Sequence, residues 1–323
     1  MSFLTLTHGV SSVNIWLKFR KREKGEDEMR IGFIGIGAMG RHMAKHVLEA
    51  GYELTVNDIR KEAAKEVLSK GAKWADDAQA VASSCDVVIT SLPMPKDVEE
   101  VVYGERGLIK GWKKGDIFIE MSTNSPVVVR KIARDAEAKG VAMLDAPVSG
   151  GTIGAESKRL TVIVGGKAEV LEKVKKILES MGDVIVHAGD IGCGNIAKLV
   201  NNMISFTCNE ITAEGMVLGA KAGIDVKVLR EVIRNSTGGN YFVQNGVPQI
   251  FKGNFEPGFR VNLAIKDIGL ALGMAKDFSI PTPIGAAVEQ RLLEARASGL
   301  GDKGTQSLIL LLEKLAGIEV RAP

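Results

Sequence analysis

Short apolar runs alternate with helical patterns through the first 190 residues of the chain. Runs of about five residues, rich in Val, Ile and Leu, are typical of strands, and the segments between them carry the spacing of helices. Strands that alternate with helices in this way predict an α/β fold with a doubly wound, mostly parallel sheet. The predicted strands lie at 30–34, 54–57, 87–91, 117–121, 142–144, 160–164 and 184–187, with helices at 41–50 and from about 126.

The pattern changes after Gly189, and no further strand pattern recurs. A long apolar helical run opens at Gly192 and lasts to about Ala222, where Gly223 ends it. We therefore predict a long inter-domain helix that leads into an all-α C-terminal domain, so that the domains are 29–190 and 191–323. The other predicted helices of this domain lie near 226–235, 261–278, 283–297 and 305–316.

The first strand runs directly into three glycines with the spacing Gly35-x-Gly37-x-x-Gly40. Gly35 permits a tight strand-to-helix turn, Gly37 lets the backbone approach a pyrophosphate, and Gly40 lets helix and strand pack closely. The start of the following helix offers free N–H groups to phosphates. We expect this loop, with the intervening Ala38 and Met39, to bind a dinucleotide in a Rossmann-like domain.

An acidic residue, Asp58, ends the second strand 18 residues past Gly40. A carboxylate there accepts hydrogen bonds from the hydroxyls of the adenine ribose and repels a 2′-phosphate. Arg60 and Lys61 follow at once, and either reaches a phosphate if the carboxylate turns away. We expect Asn57, Asp58 and Arg60 to line the adenosine end of the site, with NAD preferred and NADP used measurably.

Two more strands end in polar or turn-forming residues, at Leu92-Pro93 and at Ser122-Thr123. In open α/β sheets ligands bind beyond the carboxyl ends of the strands. We therefore expect Leu92, Pro93 and Thr123 to line the cofactor groove.

Composition and charge exclude several classes of protein. The net charge is only +3, from 42 basic and 39 acidic residues, which gives no support for nucleic-acid binding. The three cysteines, Cys85, Cys193 and Cys208, have neither zinc spacing nor a disulfide framework. No metal site is predicted, and a reducing cytoplasm is the expected location. No apolar run approaches the roughly 18 residues that a bilayer requires, so no membrane partner is expected.

Residues 1–28 lie ahead of the fold pattern, because Met29 immediately precedes the first strand. Their acidic end and the absence of a small-residue cleavage site count against a targeting peptide. We interpret them as an N-terminal extension that results from an upstream start.

Four motifs in order along residues 29–320 resemble the β-hydroxyacid dehydrogenase family. They are GFIGIGAMG, DAPVSGG, GCGNIAKLVNN and FEPGFRVNLAIKD, which begin at residues 32, 145, 192 and 255. The resemblance implies a Rossmann-like domain joined by a long helix to a helical domain. It also implies oxidation of the 3-hydroxyl of a short 3-hydroxy acid, or reduction of the matching semialdehyde, with NAD or NADP. Family members form homodimers or homotetramers.

The resemblance also assigns roles to residues of this chain. It places the catalytic lysine on Lys198 and a late lysine–aspartate pair, at the edge of cofactor and substrate, on Lys266 and Asp267. Of this pair, Lys266 is implied to bind the cofactor. The implied substrate-binding residues are Asp267, Ser149, Gly150, Gly151, Asn202 and Tyr241.

Elementary chemistry makes the role of Lys198 sensible. A lysine that shuttles a proton near neutral pH needs a pKa well below its usual value of about 10.4. We expect Lys198 in the first turn of its helix, where the positive end of the helix dipole disfavours an ammonium group. Nearby Lys266, an oxidised nicotinamide and burial would act in the same direction. Asn202 lies four residues later, on the same face of the helix.

The substrate stays open between several relatives. GFRVNLAIKD and the ending at 299–320 are similar to tartronate semialdehyde reductases, whereas the loop at 238–241 is similar to 3-hydroxyisobutyrate and L-serine dehydrogenases. In the latter enzymes an aromatic residue walls the pocket, and Tyr241 stands at that place. Further alternatives are a glyoxylate or succinic semialdehyde reductase and, remotely, a non-catalytic cofactor-binding protein. Retention of Lys198, Asn202 and Ser149 argues against the last.

Overall fold

The computed structural model describes residues 29–322, so the predicted extension at 1–28 lies outside the described residues. The described chain forms a nine-stranded sheet followed by a helical region. The strands are β1 (Arg30–Ile34), β2 (Glu53–Asn57), β3 (Lys73–Trp74), β4 (Val87–Thr90), β5 (Ile117–Glu120), β6 (Ala142–Asp145), β7 (Val148–Ser149), β8 (Leu160–Gly165) and β9 (Gly182–Gly189).

Eight α-helices belong to the part of the described chain that carries the sheet. They are α1 (Gly40–Glu49), α2 (Lys65–Ser69), α3 (Ala78–Ser84), α4 (Pro95–Tyr103), α5 (Leu108–Gly111), α6 (Pro126–Ala138), α7 (Gly151–Glu156) and α8 (Ala168–Glu179). The helices that follow are α9 (Cys193–Lys221), α10 (Val226–Arg234), α11 (Tyr241–Asn245), α12 (Val247–Phe251), α13 (Val261–Asp277), α14 (Pro283–Ala295) and α15 (Ile309–Ala316).

The strands lie in the order β3-β2-β1-β4-β5-β6-β8-β7, and β9 pairs with β8. All pairs from β3 to β6 are parallel, as is β8 with β9, whereas β8 runs antiparallel to both β6 and β7. The first six strands therefore have the order of a Rossmann fold. The predicted fold class, a doubly wound and mostly parallel sheet followed by helices, is confirmed.

Apolar residues cover both faces of the sheet, because successive side chains of a strand point to opposite sides. Ile31 and Phe33 of β1 belong to one buried cluster, whereas Ile34 belongs to a second cluster together with Val88 and Phe118. The helices between the strands cover these clusters. The carboxyl ends of β1, β4, β5 and β6 are thereby held side by side at one edge.

The long helix α9 connects the sheet to the helical region. Its first turn packs closely against the sheet, since a Cβ at Gly194 would lie 2.5 Å from the carbonyl oxygen of Ile163. Farther along, Phe206 packs in one apolar cluster with α13 and α14, and Met216 packs in another with Ile309 of α15. None of the helices within residues 29–322 is long and apolar enough to cross a bilayer.

Candidate active site

The glycine loop after β1 combines close packing with open space. Gly35 has a φ of 94°, and a Cβ there would lie 2.3 Å from the carbonyl oxygen of Ser91. A Cβ at Gly40 would lie 1.8 Å from the carbonyl oxygen of Gly35, whereas one at Gly37 would meet nothing within 4 Å. Ala38 beside it is exposed, and half-buried Met39 precedes α1. The loop is therefore tight on the protein side and leaves room at Gly37, which fits a dinucleotide pyrophosphate.

The carboxylate of Asp58 faces the glycine loop. Its Oδ2 accepts a hydrogen bond from the N–H of Ile36 at 2.8 Å, and its Oδ1 accepts one from the N–H of Arg60 at 2.8 Å. Each carboxylate oxygen keeps a second lone pair for a ribose hydroxyl. The side-chain amide of Asn57 donates a hydrogen bond to the carbonyl oxygen of Ala75 at 2.9 Å. A negative charge is thus fixed at the end of β2, while the Arg60 side chain is exposed.

The loops after β4 and β5 are joined where the cofactor groove is predicted. The N–H of Leu92 donates to Oγ of Ser122 at 2.8 Å. Leu92 and Thr123 are half-buried, and Pro93 is exposed. The structure therefore brings the three predicted groove residues to one edge of the sheet.

A buried cluster of charged and amide side chains lies where α9 meets α13. Oδ2 of Asp267 accepts a hydrogen bond from the Asn202 amide at 2.6 Å, and its Oδ1 lies 2.6 Å from Nζ of Lys266. Nζ of Lys266 also donates to the carbonyl of Thr123 at 2.6 Å. Lys198 lies one helical turn before Asn202 and is only 7% exposed. The cluster thus joins both helices to the edge of the sheet.

The environment of Lys198 lowers its pKa to about 8. Burial, which disfavours the ammonium form, is the main cause, and the positive charge of Lys266 acts in the same direction. The carboxylate of Asp267 opposes both. The predicted position in the first turn was wrong: α9 begins at Cys193, so Lys198 is in the second turn. Because the effect of the helix dipole fades within the first turn, burial and not the dipole is the main cause of the lowered pKa of Lys198.

The Ser149-Gly150-Gly151 segment lies at the join of β7 and α7. Gly150 has a φ of 130° and Gly151 a φ of 62°, so both adopt backbone conformations that disfavour other residues. A Cβ at Gly151 would lie 3.8 Å from the carbonyl oxygen of Gly258 and would meet nothing closer. The segment therefore approaches the loop that leads into α13, which carries Lys266.

Tyr241 lies far from Lys198 within one chain. It is 73% exposed, and the neighbouring Asn240 donates from its amide to Oγ1 of Thr212 at 3.1 Å. Thr212 follows Lys198 by fourteen residues of α9, which is about 21 Å along the helix axis. The structure of one chain thus does not bring Tyr241 to Lys198.

Comparisons with known proteins agree with this geometry. The family model described as the NAD binding domain of 6-phosphogluconate dehydrogenase matches residues 30–189. The model described as NAD-binding of NADP-dependent 3-hydroxyisobutyrate dehydrogenase matches residues 192–312. The 2-(hydroxymethyl)glutarate dehydrogenase of Eubacterium barkeri is 38% identical over 297 residues, which cover 91% of this chain and 98% of that protein. The chain belongs to the β-hydroxyacid dehydrogenase family.

Two further relatives extend this comparison. The NAD-dependent L-serine dehydrogenase of Pseudomonas aeruginosa is 40% identical over 264 residues, which cover 80% of this chain and 89% of that protein. A solved structure of Mycobacterium tuberculosis 3-hydroxyisobutyrate dehydrogenase with L-serine has a TM-score of 0.81 and 30% identity, and the match covers 88% of this chain and 99% of that one. The predicted family and its class, NAD(P)-dependent oxidoreductases, are confirmed.

Sequence reasoning missed the residues that hold the start of α9 in this β-hydroxyacid dehydrogenase. Asp145, buried at the end of β6, accepts hydrogen bonds from the N–H groups of Gly192 at 2.6 Å and Asn195 at 2.7 Å. Oδ1 of Asn195 accepts one from the N–H of Asn124 at 2.7 Å. Both residues lie inside recognised motifs, but only their burial reveals that they fix the helix that carries Lys198.

Glu120 was also missed. It is fully buried at the end of β5, opposite Asp145, and accepts a hydrogen bond from the N–H of Ser122 at 2.8 Å. Burial raises its pKa to about 7, and the nearby charge of Asp145 adds to this, while the hydrogen bonds from Ser122 oppose it. An acidic residue within the apolar run at 117–121 was the available signal. Its hydrogen bond helps to fix the loop whose Thr123 carbonyl receives Lys266.

Proposed function

We propose that this β-hydroxyacid dehydrogenase oxidises the 3-hydroxyl of a short 3-hydroxy acid, or reduces the matching semialdehyde, with Lys198 as its general acid and base. The observation that carries this proposal is the buried Lys198, whose pKa is lowered to about 8 beside Asn202, Lys266 and Asp267. A general acid or base works best when its pKa lies near the operating pH. A solvated surface lysine would not have this property.

The proposed roles divide between holding the substrate and moving a proton. Ser149 and the backbone of Gly150 and Gly151 would bind the substrate carboxylate, as the family resemblance implies. Asn202, held by Asp267, would orient the substrate hydroxyl beside Lys198. In the oxidation, neutral Lys198 takes the hydroxyl proton while the carbon gives up a hydride, and the C–O bond becomes a carbonyl. A bound nicotinamide supplies the hydride acceptor in this direction.

The cofactor would lie across the carboxyl ends of β1, β4 and β5. The glycine loop, with Ala38 and Met39, would hold the pyrophosphate, and Asp58 would hold the adenine ribose. Leu92, Pro93 and Thr123 would line the groove toward the nicotinamide. Lys266 donates to the carbonyl of Thr123 and therefore would couple this groove to the substrate side.

A substrate panel tests the proposed activity. We expect the purified protein to turn over tartronate semialdehyde or 3-hydroxyisobutyrate, followed by the absorbance of NADH or NADPH. L-Serine, glyoxylate, succinic semialdehyde and 2-(hydroxymethyl)glutarate complete the panel, the last because of the Eubacterium barkeri relative. The active substrates should share a carboxylate, because the proposed site holds one. Absence of turnover with every compound, from protein that binds NAD, would contradict the proposal.

We also propose that the protein is a homodimer or homotetramer. Four large apolar side chains on α9 are exposed by 39–71%, and their spacing of four, seven and seven residues places them on one side of the helix: Val200, Ile204, Ile211 and Leu218. A solvent-exposed apolar stripe of this length is typical of a protein–protein interface. A second copy would also offer its exposed Tyr241 to a site that the chain's own Tyr241 does not reach.

Light scattering after gel filtration tests this assembly. We expect a mass of two or four times the 34.5 kDa of one chain. The variant Ile211→Glu places a charge in the stripe and should shift the mass toward the monomer, because burial of an unpaired charge is costly. Lys227→Glu, on exposed α10, serves as a matched control and should leave the mass unchanged. A monomeric wild type would overturn the proposal.

A further inference from the structure

A buried histidine on α1, His46, connects this helix to the end of α7. His46 is only 4% exposed, and its Nε2 donates to the carbonyl oxygens of Ala155 at 2.9 Å and Glu156 at 3.1 Å. These carbonyls are the last two of α7. Oε2 of Glu49 lies 3.3 Å from Nδ1, on the other side of the ring. The imidazole is thus held between its own helix and the end of another.

The helix that receives this hydrogen bond is short. The six residues of α7 begin at Gly151, directly after Ser149 and Gly150. The last carbonyls of a helix have no partner within the helix, and a helix of this length is marginal without tertiary contacts. His46 supplies a donor at a buried point where water would otherwise be needed. This hydrogen bond therefore adds to the packing of Ala155 in the core in holding α7.

The donor's own helix starts at the other ligand loop. Helix α1 begins at Gly40, the last glycine of the loop proposed to hold the pyrophosphate. One side chain therefore connects the helix behind the cofactor loop to the helix behind the Ser149–Gly151 segment. We infer that His46 is a positioning residue, which fixes the substrate-carboxylate segment relative to the cofactor. This inference rests on the proposed function of that segment.

Two variants of similar size test the contact. His46→Gln keeps a side-chain N–H that reaches the carbonyls, whereas His46→Leu fills the space without a donor. We expect His46→Leu to raise the KM for the hydroxy acid about tenfold or more, since a small misplacement of a binding group has effects of this order. The Kd for NAD should change little in His46→Leu. The KM of His46→Gln should stay close to the wild-type value. Lys45→Ala, on the same helix but paired with Glu66 of α2, should leave both constants unchanged.

Melting temperatures separate positioning from folding. If His46→Leu lowers only the melting temperature and leaves the KM at its wild-type value, the inference is overturned. Equal KM values for the Gln and Leu variants would overturn it too. Ser149→Ala, measured in parallel, distinguishes the two proposals. If Ser149→Ala raises the KM and His46→Leu does not, the proposed function stands and the role of His46 is rejected. If neither variant changes the KM, the proposal that the Ser149–Gly151 segment binds the substrate carboxylate is rejected.

Discussion

Replacement of Lys198 by alanine is expected to lower kcat by about 10²–10⁴-fold, the usual cost of losing a general acid and base. The Kd for NAD should hardly change, because Lys198 lies in the second turn of α9 and not on the glycine loop. Steady-state rates from NADH absorbance, together with NAD titration by calorimetry, measure the two effects separately. The loss should therefore appear in turnover and not in cofactor binding.

Lys221→Ala is the matched control, since Lys221 is the last residue of the same helix and its Nζ donates to the exposed end of α15. It should retain full activity. Retention of more than about a tenth of the wild-type rate by Lys198→Ala would contradict the assignment, because it is well above the expected loss.

The second large effect concerns the choice of cofactor. We expect kcat/KM for NAD to exceed that for NADP by about 10²-fold, because a 2′-phosphate would meet the fixed charge of Asp58, and like charges in contact cost several kcal/mol. The hydrogen bonds from Ile36 and Arg60 hold this carboxylate in place. Measurable use of NADP should remain, since Arg60 and Lys61 lie beside it.

The variant Asp58→Asn tests the cause of this preference. It removes the charge and keeps an acceptor oxygen, so the ratio of the two kcat/KM values should fall about tenfold, mainly through better use of NADP. Arg60→Ala should raise the ratio of kcat/KM for NAD to that for NADP, because it removes a basic side chain near the 2′-phosphate. A wild-type preference for NADP would show that the two basic side chains outweigh Asp58.

Much of the fold was predictable from local patterns. All seven predicted strands are present, with ends that differ by a few residues, because short runs rich in Val, Ile and Leu favour strands. The two strands that were missed, β3 and β7, have two residues each, too few to carry a pattern. The long helix was predictable because Gly192 and Gly223 bracket its apolar run.

The site was predictable only in part. Motifs indicate Lys198, Asn202, Lys266 and Asp267. No local pattern shows that Asp267, which is adjacent to Lys266, also accepts a hydrogen bond from Asn202, 65 residues earlier. Burial is the main cause of the lowered pKa of Lys198. It arises from tertiary packing, so the neighbouring residues in the sequence do not predict it. The same holds for the contact of His46 with α7, because the two carbonyl groups that it meets lie 109 and 110 residues away.

The dependence of kcat/KM on pH tests the central claim most directly. Oxidation needs the neutral amine of Lys198, so kcat/KM for the hydroxy acid should rise about tenfold per pH unit at low pH and level off near pH 8, where the pKa of Lys198 lies. Reduction needs the ammonium form, so its rate should fall above the same pH. Profiles of opposite slope with one shared break support Lys198 as acid and base. Profiles that are flat across this range, or that break equally in Lys198→Ala, would contradict it.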